Sequence, residues 1–233
     1  MLKYLVHEPI QERRNVMKRY LCLPFLFLFF ILTAGDLKAE ETWNLKKDSA
    51  DIKVYTKAIQ GSDLIFYKGV ADIDAPIEVV ESVINDYASY DQWYWQCSES
   101  KIIKSDASKG NIVFYVKIHP GWPVSDRDMV LYTTRLNDSK TGSVTYTIGS
   151  IQDAIVPKQA GTVRVTVFEG GWTLTKIGKN KTNVTYGCKV DPAGSIPKAI
   201  VNMNAIDAPF NSLKNLREMV KKNKYNKLSV SKS

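Results

Sequence analysis

The sequence predicts an α+β fold: one antiparallel sheet, a helix after its second strand and a long amphipathic helix at its end. Three observations carry this. Eight stretches between Ile52 and Val190 alternate or concentrate β-branched and aromatic residues, as strands do. Turn residues rather than helices separate most of them, which argues for antiparallel pairing. Only two segments repeat apolar residues at three- and four-residue spacing.

In chain order, the first strands are IKVYTK (52–57) and LIFYKGVADI (64–73). A helix is expected from Asp74-Ala75-Pro76, an acid at the capping position and a proline in the first turn. Val79, Val80, Val83, Ile84 and Tyr87 form its apolar face, and an aromatic cluster follows, Tyr87, Tyr90, Trp93, Tyr94 and Trp95. Three more strands are NIVFYVKIH (111–119), RDMVLYTTRL (127–136) and GSVTYTIGS (142–150). The last three are GTVRVTVF (161–168), GWTLTKI (171–177) and TNVTYGCKV (182–190). Turns are read at Asn137-Asp138-Ser139, at Gly170-Gly171 and at Gly178 with Asn180. The second helix starts near Pro197 and runs to Lys222, with Ile196, Ile200, Met203, Ile206, Phe210, Leu213, Leu216 and Val220 as its apolar positions. Pro209 is expected to kink or split it. Residues 223–233 read as a disordered polar tail.

Of 233 residues, 44% are hydrophobic and 24% charged, a globular composition that excludes a rod, a collagen or a disordered chain. Residues 40–222 form one domain. Residues 1–39 read as a secretory signal peptide, with Met17 as an alternative start. The apolar run Leu21–Leu32 follows Lys18-Arg19 and precedes Leu37-Lys38-Ala39, placing a cut before Glu40. Twelve residues fall short of the roughly 20 a membrane-spanning helix needs. The expected location is therefore periplasmic or secreted.

Removing residues 1–39 leaves 26 basic and 21 acidic residues, a surplus of five. That is too modest and too scattered for nucleic acid. The mature chain keeps one histidine, His119, and two cysteines, Cys97 and Cys188. No metal-ligand spacing is present, no cofactor is expected, and nucleophilic catalysis has few candidates. Cys97 and Cys188 are open to pairing in an oxidising compartment or to remaining buried thiols.

Three blocks are more specific: WPVSDRD (122–128), VPKQAGTVRV (156–165) and DPAGSIPKAIVN (191–202). Their order and positions, over Trp43 to Lys222, resemble the START domain, the StAR-related lipid-transfer family. The resemblance implies a helix-grip fold: a curved antiparallel sheet wrapped around the long C-terminal helix, with an internal hydrophobic tunnel for one lipid. The ligand would be a sterol, hopanoid, phospholipid or fatty acid, carried by a monomer that is not an enzyme and that touches membranes transiently. The alternative is a cyclase- or aromatase-like enzyme on the same fold, which would want several ionisable groups in the tunnel.

Alternation assigns Ile112, Phe114, Val116 and Ile118 to an inward row, because Lys117 and His119 hold the other face. Val184, Tyr186, Cys188 and Val190 form a second row, with the Tyr186 hydroxyl available to a polar head. On the strand between, the resemblance favours Met129, Leu131, Thr133 and Arg135 as inward. Thr133 stands where the family's steroidogenic member buries an arginine; Arg135 either replaces that arginine or reaches solvent. The terminal helix would contribute Ile200, Met203 and Phe210. Arg127 and Asp128 face opposite sides of their strand and are expected to pin loops. Trp122-Pro123 reads as a loop anchor, and the basic residues Lys214, Arg217, Lys221, Lys222 and Lys224 as a solvated helix face. The loop Asp153–Gly161 and the helix from Pro197 are the expected gate.

Overall fold

The computed structural model describes residues 42–230 apart from 63, 107–110 and 153–154, with backbone alone for 227–230. The expected signal peptide lies outside the described residues. The strands are β1 (Asn44–Ser49), β2 (Ile52–Ala58), β3 (Ile65–Ile73), β4 (Cys97–Asp106), β5 (Asn111–Ile118) and β6 (Asp126–Asp138). They continue with β7 (Ser143–Ser150), β8 (Thr162–Arg164), β9 (Val167–Gly178) and β10 (Lys181–Asp191). The helices are α1 (Ile77–Ile84), α2 (Lys198–Met219) and α3 (Asn223–Val230), with a 3₁₀ turn at Tyr87–Gln92.

The sheet runs β1-β2-β3-β10-β9-β7-β6-β5-β4, and β8 pairs with β6. Every neighbour on the main path is antiparallel, as hairpin spacing demands, and β8 alone is parallel to its partner. One long excursion breaks the local order. From β3, mid-sheet, the chain passes through α1 and the 3₁₀ turn to reach β4 at the far edge.

α2 packs against β2, β3 and β10. Gly69 of β3 permits the approach, because a Cβ there would fall 2.7 Å from Leu213 Cδ1 and 3.1 Å from Pro209 Cβ. Leu213, Leu216 and Met219 of α2 join the inward rows of the sheet in a single apolar core. This is the helix-grip arrangement, α+β with the terminal helix held by the sheet.

Several elements differ from the sequence reading. β1 (NLKKDS) and β4 (CSESKIIKSD) escaped it because they are the two edges of the sheet. Their charged, mostly exposed residues blunt an edge but erase apolar alternation. Gly170-Gly171 is not a turn: β9 runs through it, pressed between β7 and β10. At Gly171, with φ +152°, a Cβ would lie 1.8 Å from the Tyr146 carbonyl oxygen, so only glycine fits. Asp74 does not cap α1; Pro76 holds the cap position without a side-chain bond. Pro209 sits inside α2 without ending it. The expected disordered tail carries α3, whose Tyr225 is buried and donates to Asp86 at 2.9 Å.

Candidate functional site

A cavity of about 160 Å³ opens between the first half of α2 and one end of the sheet. Each surrounding element contributes its last or first residues. β5 ends in Ile118 and leads to Pro120 and Val124; β6 begins with Arg127 and Met129. β10 ends near Val190 and leads to Pro192 and Ile196. Across from these, α2 presents Val201, Asn202, Asn204, Ala205 and Ala208. The roof is small-residued, which is why space remains beneath it.

A second void of about 10 Å³ lies deeper, among Phe114, Val116, Leu131, Tyr186, Trp172 and Tyr90. Tyr94 and Phe168 line both spaces and so form the partition between them. The partition is fixed by polar contacts: the Tyr94 and Tyr186 hydroxyls share a short hydrogen bond, and Tyr186 contacts Cys188 Sγ at 3.9 Å. The Trp172 and Tyr186 rings stack with centroids 4.1 Å apart. Burial raises the Tyr67, Tyr94 and Tyr186 hydroxyls above their usual range and pushes the Cys188 thiol up to about 12. Cys97 is likewise pushed up to about 12 by burial, and both thiols are free.

The residues expected to line a tunnel therefore divide. Met129 lines the larger cavity; Phe114, Val116, Leu131 and Tyr186 line the inner void. Thr133 is buried further along β6, beside the Tyr87 hydroxyl. Cys188 borders a groove with Gly170, Gly171 and Gly187. Arg135 is not in either space: its Nε donates to Glu81 Oε1 at 2.9 Å and to the Tyr146 hydroxyl at 3.3 Å, tying β6 to α1. Met203 is 56% exposed, Ile200 is half-buried away from the cavity, and Phe210 is buried under the Lys47 ammonium, 3.7 Å from its ring centroid. The large apolar residues of the helix mark packing and surface, whereas the cavity faces Val201, Asn202, Asn204, Ala205 and Ala208.

Asp128 does pin a loop. It is 1% exposed and takes a bidentate pair from Arg164, Nε at 2.7 Å and Nη2 at 3.0 Å. Arg164 in turn donates to the carbonyls of Val156 at 3.1 Å and Pro157 at 3.4 Å. The loop before Gly161 is thus tied to β6, and the cavity's edge is formed by the β5–β6 and β10–α2 loops instead. Trp122 is no anchor: it is 96% exposed, at the tip of the β5–β6 loop. Of the basic helical residues, Arg217 donates to the carbonyls of Ala50, Asp51 and Asp72, so it is a staple between α2 and the sheet.

Arg127 was missed as a site residue. Its signal was its place in the odd-numbered row of β6, two residues ahead of Met129. It is 7% exposed and lines the cavity, with Nη1 on the Ser125 carbonyl and Nη2 3.5 Å from the Ala193 carbonyl. Its Nε has no partner, and neither does the buried Nε1 of Trp95 on the same cavity.

A mostly apolar pocket gripped between an antiparallel sheet and a C-terminal helix defines a ligand-binding domain of the helix-grip class. The chain belongs to the START domain family, whose model matches residues 32–225. It is 35% identical to an uncharacterized protein of Pseudomonas aeruginosa over 189 residues, 81% of this chain and 91% of that one. It is 26% identical to the phosphatidylcholine transfer protein of Bos taurus, over 75% of this chain and 82% of that one. Among solved structures it is similar to a STAR-related lipid transfer protein fragment from Xanthomonas axonopodis, at 30% identity and a TM-score of 0.71. That match covers 77% of this chain and 99% of the other.

Proposed function

We propose that the protein binds a single lipid between α2 and the sheet and carries it through the periplasm after removal of its signal peptide. One observation carries the reading: the space under α2 is walled mainly by aliphatic and aromatic side chains, and among the described residues Arg127 is the only charged one in that wall. Shielding acyl chains from water is worth about 0.8 kcal/mol per CH₂, so crossing an aqueous gap rewards such a cavity. The similarity to proteins named for lipid transfer, one bacterial and one bovine, supports the same reading. A cyclase has less support, because the ionisable groups near the cavity are mostly tyrosines held neutral by burial.

At about 160 Å³ the cavity is smaller than the roughly 300–1,000 Å³ of ordinary ligand sites. Loading therefore requires the mouth to widen and the Tyr94–Phe168 partition to open into the inner void. Contact with a bilayer would bring this about where Trp122 and Met203, both exposed, flank residues of the cavity wall. Native mass spectrometry of protein recovered from the periplasmic fraction tests both parts of the proposal. The expected species begins at Glu40 and carries one lipid, identified after extraction. A chain retaining residues 1–39 in the membrane fraction contradicts the location, and a bare chain that takes up no lipid when supplied with one contradicts the function.

A further inference from the structure

The cavity has an unbalanced charge. Among the described residues no aspartate or glutamate lines it, while Arg127 does. The acidic residues adjacent in sequence are engaged elsewhere. Asp126 bonds His119 Nδ1 at 2.6 Å and the Lys117 ammonium at 3.1 Å, and Asp128 is held by Arg164. Both sit on the opposite parity of β6, which turns them from the row that holds Arg127 and Met129. The other polar side chains of the wall, Gln96, Asn202, Asn204 and two tyrosines, are neutral.

Leaving a buried guanidinium without an acid is costly, and leaving a buried N–H without an acceptor adds to the cost. Arg127 incurs both at Nε, and Trp95 contributes a second orphaned N–H to the same wall. An oxyanion is an acceptor suited to either donor, and a guanidinium favours carboxylate and phosphate in particular. Desolvation lowers the Arg127 pKa, with the Asp126 charge acting in the opposite sense.

We infer that Arg127, together with the Trp95 indole N–H, binds the anionic head of an acyl lipid, a phosphate or a carboxylate, whose chains fill the cavity. The inference rests on the lipid-binding reading above and narrows it: sterols, hopanoids and uncharged glycerides become poor ligands.

The test is a binding panel on delipidated protein: palmitate, phosphatidylglycerol, diacylglycerol with the same chains, cholesterol, and inorganic phosphate alone. Palmitate or phosphatidylglycerol should bind at least tenfold tighter than diacylglycerol. Arg127→Gln should erase that ratio by weakening the charged lipids far more than diacylglycerol, and Trp95→Phe should reduce it partway. Equal binding of charged and uncharged lipids by the unaltered protein overturns the inference and leaves the carrier reading intact. Binding of no lipid at all overturns the carrier reading itself. Inorganic phosphate binding as tightly as the lipids would assign the site to a free anion and overturn the inference. Should Arg127→Gln fail to fold, the panel on the unaltered protein and on Trp95→Phe still decides.

Discussion

Asp128 and Arg164 illustrate how much one pair can hold. The carboxylate is enclosed, the guanidinium side chain is 10% exposed, and the Tyr115 hydroxyl donates to the same acid at 3.3 Å. Removing one partner of such a pair leaves the other charge buried, at a cost of about 3–5 kcal/mol. Asp128→Ala should therefore lower the denaturant midpoint sharply, and Arg164→Met should cost less if Tyr115 still satisfies part of Asp128. A neutral effect for Asp128→Ala would mean the pair is a surface ornament. Leu131 presents a different case. It faces a void of about 10 Å³, so Leu131→Trp overpacks the interior by the 1–3 kcal/mol or so typical of such changes. The inward direction of Leu131 was expected from the family resemblance rather than from alternation, which is mixed on this strand, and neither could say whether that row met space or solid packing. Alternation reports which face is dry and says nothing of what fills it.

At the scale of elements, α3 shows where composition misleads. NKYNKLSV has no apolar stripe, yet among its described side chains Tyr225 is buried against the turn that begins the aromatic cluster. Burial works to raise the Asp86 carboxyl, but hydrogen bonds from Lys224, Tyr225 and Ser89 outweigh it and hold the group below its ordinary 3.8. A carboxylate depressed in the folded state stabilises the fold above its unfolded pKa, and that contribution is lost as pH falls through the folded value. Asp86→Asn should therefore be less stable than the parent protein at neutral pH, and the difference should close as pH falls below the ordinary carboxylate range. Tyr225→Phe should cost about 1.5 kcal/mol, the worth of a hydrogen bond to a charged group, read as a shift in urea midpoint. A pH-independent gap would separate α3 from Asp86. The central strands and α1 were legible because they bury one face in a regular period. The edge strands β1 and β4 and the terminal helix were not, since their contacts are few, polar or made by one aromatic ring.

For the whole molecule, the question is how a lipid enters and leaves. The β5–β6 loop sets an exposed indole beside the cavity wall, and indoles favour the water–lipid boundary. On the proposed membrane contact, Trp122→Ala should slow lipid transfer between vesicles several-fold while leaving equilibrium affinity unchanged. Loss of affinity would instead make Trp122 part of the binding site. The three sequence blocks that carried the family resemblance all return at one end of the fold: the Trp122 loop and Arg127, the loop pinned by Arg164, and the entry to α2. Their functional residues were legible only in part. Ile200, Met203 and Phe210 come from the helix's apolar repeat, whereas the helix turns Val201, two asparagines and two alanines to the cavity.

The most direct measurement uses that distinction. Ala208 lines the cavity from α2, so Ala208→Leu places new atoms in open space. Fluorescent-lipid titration and denaturant stability should be measured together on parent and variant. The expected result is one site per parent chain, binding weakened at least tenfold by the substitution, and stability changed by less than about 1 kcal/mol. Undiminished binding by Ala208→Leu would show that the space between α2 and the sheet is not where the lipid sits.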